Sequence, residues 1–251
     1  GGAFIAVWGV ERGVRFAFIG ALLLAVVAAV LQQRLIEDDA PSGDSRSRAE
    51  NNPFRLWKYM STDLRRLLAA DILIRFCEQI PYAFVVVWAV GTESAPGPVT
   101  AAQFGLLRSL EMATAILVYV PVAYLADRGH KKPFVVMTFI FFTLFPLVLS
   151  ISHSFWMLVV AFVLRGLKEF GEPTRKALIM DLAPEDRKAG LFGLYYLIRD
   201  VVVSVAAFGG AFLWQQSPRL NLWTAFGFGA LGTLWFALRG KDLSPSRAAP
   251  G

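Results

Sequence analysis

Seven stretches of about 20 predominantly apolar residues run through this 251-residue chain. A helix of that length crosses the roughly 30 Å hydrocarbon core of a bilayer, and in lipid only helices and closed barrels satisfy their own backbone. The stretches are 14–34, 67–90, 101–126, 133–150, 154–173, 188–214 and 219–238. The first has no charge between Arg15 and Arg34 and starts too far inside the chain, after a polar Glu11–Arg12 turn, for a cleaved leader. Composition agrees: 56% of residues are hydrophobic and 18% charged, against about 45–50% and 25% in soluble domains. One core of this size cannot hide that excess. The prediction is an all-α membrane protein, a multi-pass transmembrane helix bundle embedded in a lipid bilayer.

The connections are short except for 35–66, rich in Asp, Ser, Arg and Asn, with Pro41 and Pro53. That segment reads as a linker ending in an interfacial helix around Phe54, Leu56, Trp57 and Tyr59. Trp88, Trp156, Trp214 and Trp223 near span ends fit an interfacial belt. Segments 35–66, 127–132, 174–187 and 239–251 fall on one side, and with Arg34 and Lys188 at span ends they carry 17 of the 25 Lys and Arg residues. The opposite side carries three, Arg12, Arg15 and Arg219. This asymmetry predicts a multi-pass cell-membrane protein with linker 35–66 and the C-terminus in the cytoplasm. It also accounts for the net charge of +6, so no nucleic-acid partner is expected. The expected domains are 1–34, containing the first span; the linker 35–66; a bundle over 67–240; and a tail, 241–251.

Eleven ionisable residues fall inside these spans: Asp71, Arg75, Glu78, Arg108, Glu111, Arg165, Lys168, Glu169, Glu172, Arg199 and Asp200. Each costs about 2.5–3.5 kcal/mol at a helix centre on insertion scales. Six acids stand against five bases, which suggests mutual pairing. Asp71, Arg75 and Glu78 follow i, i+4, i+7 along one helix face, as do Arg165, Glu169 and Glu172. At 1.5 Å per residue, Glu78, Glu111, Arg165, Arg199 and Asp200 share roughly one depth. Four helices thus aim charge at a common level, and a polar interior follows. Structural ion pairs between helices are the plain reading; a substrate or proton pathway through Arg75, Glu78, Arg108, Glu111, Arg165, Glu169, Arg199 and Asp200 is the functional one. Glu78 and Glu111 are the expected protonatable sites, since a carboxyl withdrawn from water holds its proton more readily. Arg108 or Arg199 is expected to meet an anionic solute or to lower the pKa of a neighbouring acid. Asp71, Lys168 and Glu172 lie nearer the boundary and are expected to be solvated.

Pro81, Pro121 and Pro146 interrupt helix hydrogen bonding inside spans, and Gly209-Gly210 with Gly227, Gly229 and Gly232 permit close helix approach. Cys77 is the single cysteine and His130 and His153 the two histidines. That inventory excludes a disulfide framework and a thiolate zinc site and leaves too little for a histidine metal centre. No metal or cofactor is expected. Gly1-Gly2-Ala3-Phe4 recurs as Gly209-Gly210-Ala211-Phe212, with Ala17-Phe18 and Ala225-Phe226 at the same offset. As a repeat, this places the start of the chain at the end of one six-helix unit.

The turn Ala123-Tyr124-Leu125-Ala126-Asp127-Arg128-Gly129-His130-Lys131-Lys132-Pro133 resembles the signature loop of the major facilitator superfamily, G-x-L-A-D-R-x-G-R-K. Ala123 replaces its first Gly and His130 stands where the second should be. Arg165-Gly166-Leu167-Lys168-Glu169-Phe170-Gly171-Glu172-Pro173, with Pro184-Glu185-Asp186-Arg187, is similar to the family's fourth-helix and following-loop pattern. The resemblance implies the six-helix C-terminal half of such a transporter plus the last helix of the N-terminal half. It implies gating by Asp127, Arg128, Gly129, Lys131 and Lys132, and alternating access between two bundles. The expected partners are a small-molecule substrate, protons and an N-terminal helix bundle preceding this segment. The function expected is secondary active transport of a small solute, with proton-coupled efflux as its specific form and no enzymatic activity. A membrane-embedded enzyme and a non-transporting membrane sensor are the alternatives. A retinal protein is disfavoured because 219–238 contains no Lys.

Overall fold

The computed structural model describes residues 2–35, 53–92, 95–126 and 130–241. Helix α1 (Gly2–Leu35) is interrupted at Gly9, where φ is 75° and ψ 172°, a conformation that the missing Cβ permits. The expected polar turn at Glu11–Arg12 is helical instead, and Glu11 and Arg15 pair at 2.6 Å one turn apart. The apolar surface of α1 is almost wholly exposed, and its contacts are made with α5 (Ala101–Ala126). Residues 36–52 of the linker lie outside the described residues; its end forms α2 (Pro53–Tyr59). The Arg187 guanidinium lies 3.5 Å from the Tyr59 ring centroid.

Helix α3 (Thr62–Gln79) begins five residues earlier than expected, because Ser61 Oγ caps it by accepting from the Leu64 amide at 3.2 Å. Pro81 ends it, a 3-10 turn covers Tyr82–Phe84, and α4 (Val85–Val90) completes the span. A short hairpin, β1 (Gly91–Thr92) with β2 (Ala95–Pro96), leads to α5. Then come α6 (Lys131–Ser150), α7 (Phe155–Leu167), α8 (Glu172–Asp181), α9 (Lys188–Gln216) and α10 (Pro218–Arg239).

The fourth span of the bundle departs from expectation. Residues 174–187 read as a loop, yet the helix breaks at 168–171 and resumes as α8 to Asp181. Thr138 Oγ1 accepts the Gly171 amide, and a Cβ at Gly171 would collide with the Phe134 carbonyl, so α6 holds the break in place. Pro173 suits the first turn of the new helix, where no amide donor is needed. Five stretches are long and apolar enough to cross a membrane individually: Glu11–Arg34, Thr62–Val90, Ala101–Tyr119, Lys131–Ser150 and Glu185–Gln216. The other two expected spans differ for visible reasons: α7 has only 13 residues before the break, and glycines with Asn221 dilute α10.

Helix α10 packs along α3 and α6, α7 along α5 and α6, and α9 along α3. Two large apolar clusters result, with a small third one of Ile80, Ala206 and Ala225. Leu64, Leu67, Ile74, Phe139, Leu178 and Phe236 fill the linker end; Val85, Leu107, Leu149, Leu158, Phe162 and Leu222 fill the other. At the break beside Pro81, Phe84 and Val85 both donate to the Pro81 carbonyl, so the Ile80 carbonyl needs another donor. Asn221, fully buried on α10, supplies it: its Nδ2 donates to Ile80 at 3.2 Å and to the Gly210 carbonyl at 2.8 Å. Gly210 itself lies against Ile80, with no room for a Cβ, whereas Gly227 has open space.

Two substitutions check this junction by unfolding in detergent. Asn221→Leu leaves the buried Ile80 carbonyl without a donor and is expected to cost about 1–3 kcal/mol. Gly210→Ala overpacks and is expected to cost about 1–3 kcal/mol, while Gly227→Ala leaves stability nearly unchanged.

Candidate functional site

Between the two apolar clusters the bundle interior is charged. Asp71, 1% exposed, is the hub. Arg175 Nη1 donates to its Oδ2, as do Tyr195 Oη at 3.1 Å and Arg199 Nη1 at 3.4 Å. Arg75 sits one turn along α3, its Nε 3.8 Å from Asp71 Oδ1. Its two amino groups reach Glu78 Oε2 at 2.7 Å and Glu172 Oε1 at 2.9 Å. Glu172 also accepts from Arg175 Nη2 at 2.6 Å, and Lys168 Nζ closes the far end on Glu78 Oε1 at 2.5 Å. The i, i+4, i+7 stripe on α3 thus meets the broken span, and α9 adds Tyr195 and Arg199.

The charges balance within this network. Arg75, Lys168, Arg175 and Arg199 face Asp71, Glu78, Glu172 and Asp200, the last held by Arg199 Nε at 2.8 Å. Four cations meet four carboxylates, and the three buried ones, Asp71, Glu78 and Glu172, are paired as a low-dielectric interior demands. Rings cover the flanks: Arg75 and Lys168 lie 5.2 and 5.5 Å from the Phe142 centroid, and Arg199 lies 4.2 Å from that of Tyr196.

A second, smaller group joins α5 to α7. Arg108 Nη1 donates to Glu111 Oε2, and Arg165 Nε lies 3.3 Å from Glu111 Oε1. Arg165 is 5% exposed and sits 5.0 Å from the Phe145 centroid and 5.6 Å from that of Tyr82. Arg108 and Asp200 remain open, with 37% and 62% of their side-chain surface exposed.

All eight residues assigned to the pathway from sequence lie within or beside these two groups. Glu169, at the helix break, is partly buried and forms no ion pair among the described residues. Three placements need correction. Asp71, Lys168 and Glu172 are not solvated at the boundary; Asp71 and Glu172 are 1% and 6% exposed, and Lys168 is bound to Glu78. The cause is the continuation of the span through α8, which moves this level into the protein interior. Arg175 and Tyr195, both buried, were absent from the expected site. Arg175 extends the Arg165–Glu172 stripe by another three residues, so the periodicity carried that signal; nothing in the sequence singles out Tyr195.

Of the expected gating loop, Asp127, Arg128 and Gly129 lie outside the described residues. Lys131, at the start of α6, donates to Asp181 at the end of α8. Among the described residues no group of three or more His, Cys, Asp or Glu gathers to hold a metal. Cys77 is buried and donates to the Phe142 carbonyl at 3.3 Å, a packing role.

If Asp71 balances three cationic neighbours, Asp71→Asn alone will destabilise the bundle by about 3–5 kcal/mol, since removing one member strands buried charge. Arg175→Met added to Asp71→Asn recovers part of that loss, measured as a double-mutant cycle in detergent unfolding.

Comparison with known proteins places this geometry. The family model described as Major Facilitator Superfamily matches residues 90–251. No curated protein matches the chain. Among solved structures, a POT family transporter in complex with a thioalcohol-conjugated peptide is similar, with a TM-score of 0.54, 16% identity, and coverage of 70% of this chain and 37% of that one. A POT family transporter in complex with 5-aminolevulinic acid is similar with a TM-score of 0.54, 17% identity and the same coverage. At this identity the likeness concerns the fold. The chain spans 37% of the length of those neighbours.

Proposed function

The chain belongs to the major facilitator superfamily, and from that premise we propose that it forms the C-terminal part of a secondary transporter moving a small solute by alternating access. The observation supporting this most strongly is the buried network linking α3, the α7–α8 break and α9 through Asp71, Arg75, Glu172 and Arg175. Lipid cannot solvate such groups, and an interior cleft between two bundles can. Arg108, Asp200 and Tyr82, the last 51% exposed, are then the polar groups that this half turns toward an N-terminal bundle completing the cavity.

In this mechanism Arg75, Glu78, Arg165 and Arg199 line the wall of the solute path. The Lys131–Asp181 pair works with the Asp127–Lys132 loop as a gate on the linker side. Its partners are 20% and 40% exposed, so breaking the pair costs little, as expected of a surface contact. The linker and C-terminal tail lie in the cytoplasm, and the membrane is the cell membrane. Transport is coupled to protons and exports the solute. Glu78 and Glu111 each already hold two cations. Glu169 holds none among the described residues, so a proton taken up there breaks no ion pair; it is therefore the best placed of the three carboxylates.

Proteoliposomes holding the protein with its N-terminal bundle, loaded with candidate solutes and given an imposed pH gradient, test this. Solute movement is expected to follow the gradient, and Glu169→Gln to abolish the gradient dependence while leaving counterflow exchange intact. Unchanged gradient dependence in Glu169→Gln, Glu78→Gln and Glu111→Gln alike would remove proton coupling from the account.

A further inference from the structure

Helix α2 is fixed to the bundle on one side and open on the other. Leu56 and Met60, 8% and 2% exposed, join the apolar core at the linker end. Gly190 on α9 leaves room for Leu56, since a Cβ there would lie 3.3 Å from its Cδ1. Ser61 Oγ donates to the Leu182 carbonyl at 3.1 Å and ties the end of α2 to the end of α8. Lys58, two residues from Leu56 and so on the opposite face, is exposed, as are Trp57 and Tyr59. The last turn of α10 reaches the same level, where Lys241 Nζ lies 3.4 Å from Asp63 Oδ2 in the first turn of α3.

Cations outnumber acids at this corner. Arg66 and Lys241 share one carboxylate, Asp63, and Lys58, Arg65 and Arg239 pair with no carboxylate among the described residues. The acids of the adjoining turn are matched, Asp186 by Arg187 and Glu185 by Lys188. In sequence, Glu50 precedes the corner and Asp242 follows it. Two of the cations lie on exposed indoles. The Arg65 guanidinium is 4.8 Å from the Trp57 centroid and donates to the Trp57 carbonyl at 2.9 Å. Arg239 is 5.8 Å from the centroid of Trp235, itself 42% exposed. Residues 62–90 are long and apolar enough to cross a membrane, and α10 packs along α3, so the corner lies where the hydrocarbon ends. An indole carrying a cation without a counter-charge suits that depth, with the ring toward acyl chains and the charge toward phosphate.

We propose that the corner formed by α2, the first turn of α3 and the last turn of α10 docks the head groups of anionic phospholipids in the linker-side leaflet. Lys58, Arg65 and Arg239 meet the phosphates, and Trp57 and Trp235 sit among the upper acyl chains. The negative head groups supply the counter-charge that these cations lack, and each cation near such a surface strengthens the contact. This goes beyond the transport reading and holds whether or not the protein moves a solute.

The test uses the protein with its N-terminal bundle in a neutral maltoside detergent, titrated with dioleoyl phosphatidylglycerol or with dioleoyl phosphatidylcholine and read as thermal unfolding. Phosphatidylglycerol is expected to raise the unfolding temperature saturably, as a ligand of the folded state does, and phosphatidylcholine, with the same chains, to raise it less. Lys58→Gln, at an exposed position, is expected to raise the half-saturating phosphatidylglycerol concentration by about fivefold, and the triple variant with Arg65→Gln and Arg239→Gln to raise it further. Lys176→Gln, which removes an exposed cation of α8 outside the corner, leaves the titration unchanged. Equal responses to the two lipids would overturn the proposal and leave these cations to the linker's own acids. A triple variant that titrates like the parent, or a loss in Lys176→Gln equal to that in Lys58→Gln, would overturn it too. If the triple variant does not fold, an unchanged titration in Lys58→Gln decides against it. An equal response to glycerol 3-phosphate at matched ionic strength would mark a site for free phosphate and overturn the lipid assignment.

Discussion

A carboxylate buried at Asp71 makes the interior of this bundle possible. Arg175 and Arg199 cannot be left in a lipid-shielded interior without a counter-charge, and a single acid on α3 accepts from both and from Tyr195. Because those partners come from α8 and α9, satisfying one carboxylate fixes three helices at once. The Arg75 fork then carries the same logic to Glu78 and Glu172. Replacing such a network by apolar side chains would cost little in stability. Its presence in a chain this apolar therefore argues for use, and the use consistent with the family is to border a polar path between two bundles.

Two interruptions of regular helix place the network. The first is Pro81, where the freed Ile80 carbonyl is served by Asn221 across the bundle, so the kink becomes a fixed joint between α3 and α10. The second is the break at 168–171, held by Thr138 on the Gly171 amide and by Phe134 stacked on Phe170. Without it Lys168, Glu172 and Arg175 would trace a straight stripe. With it Lys168 turns to Glu78 while Glu172 and Arg175 turn to Arg75 and Asp71. Backbone irregularity at membrane depth is tolerable where protein groups re-satisfy it, and both joints meet that condition.

The sequence made the order of the helices legible, and five of the seven expected spans are individually long and apolar enough to cross a membrane, because length and hydropathy are local properties. It also made legible which helices carry buried charge, through the stripes on 71–78 and 165–172. Depth was not legible. Counting from the ends of apolar runs placed Asp71, Lys168 and Glu172 near water, because the fourth span appeared to stop at Pro173 when its polar second half, α8, is buried by protein and not by lipid. Arg175 was lost by the same error. Asn221 and Tyr195 were invisible for a different reason: one polar atom in an apolar helix has no pattern until its tertiary partner is known. Nor does sequence separate Gly210, pressed on Ile80, from Gly209, where a Cβ would meet open space.

The account depends on the exposed mid-span polar groups facing an aqueous cleft while the exposed apolar faces meet lipid. Single cysteines introduced into a Cys77→Ala background, probed in membranes with a membrane-impermeant maleimide, read this directly. Labelling is predicted at positions 82, 108, 169 and 200 and not at 117, 205 or 208, whose Leu117, Val205 and Phe208 side chains are 74%, 62% and 78% exposed. Labelling of that second set, with positions 82, 108, 169 and 200 silent, would contradict the account.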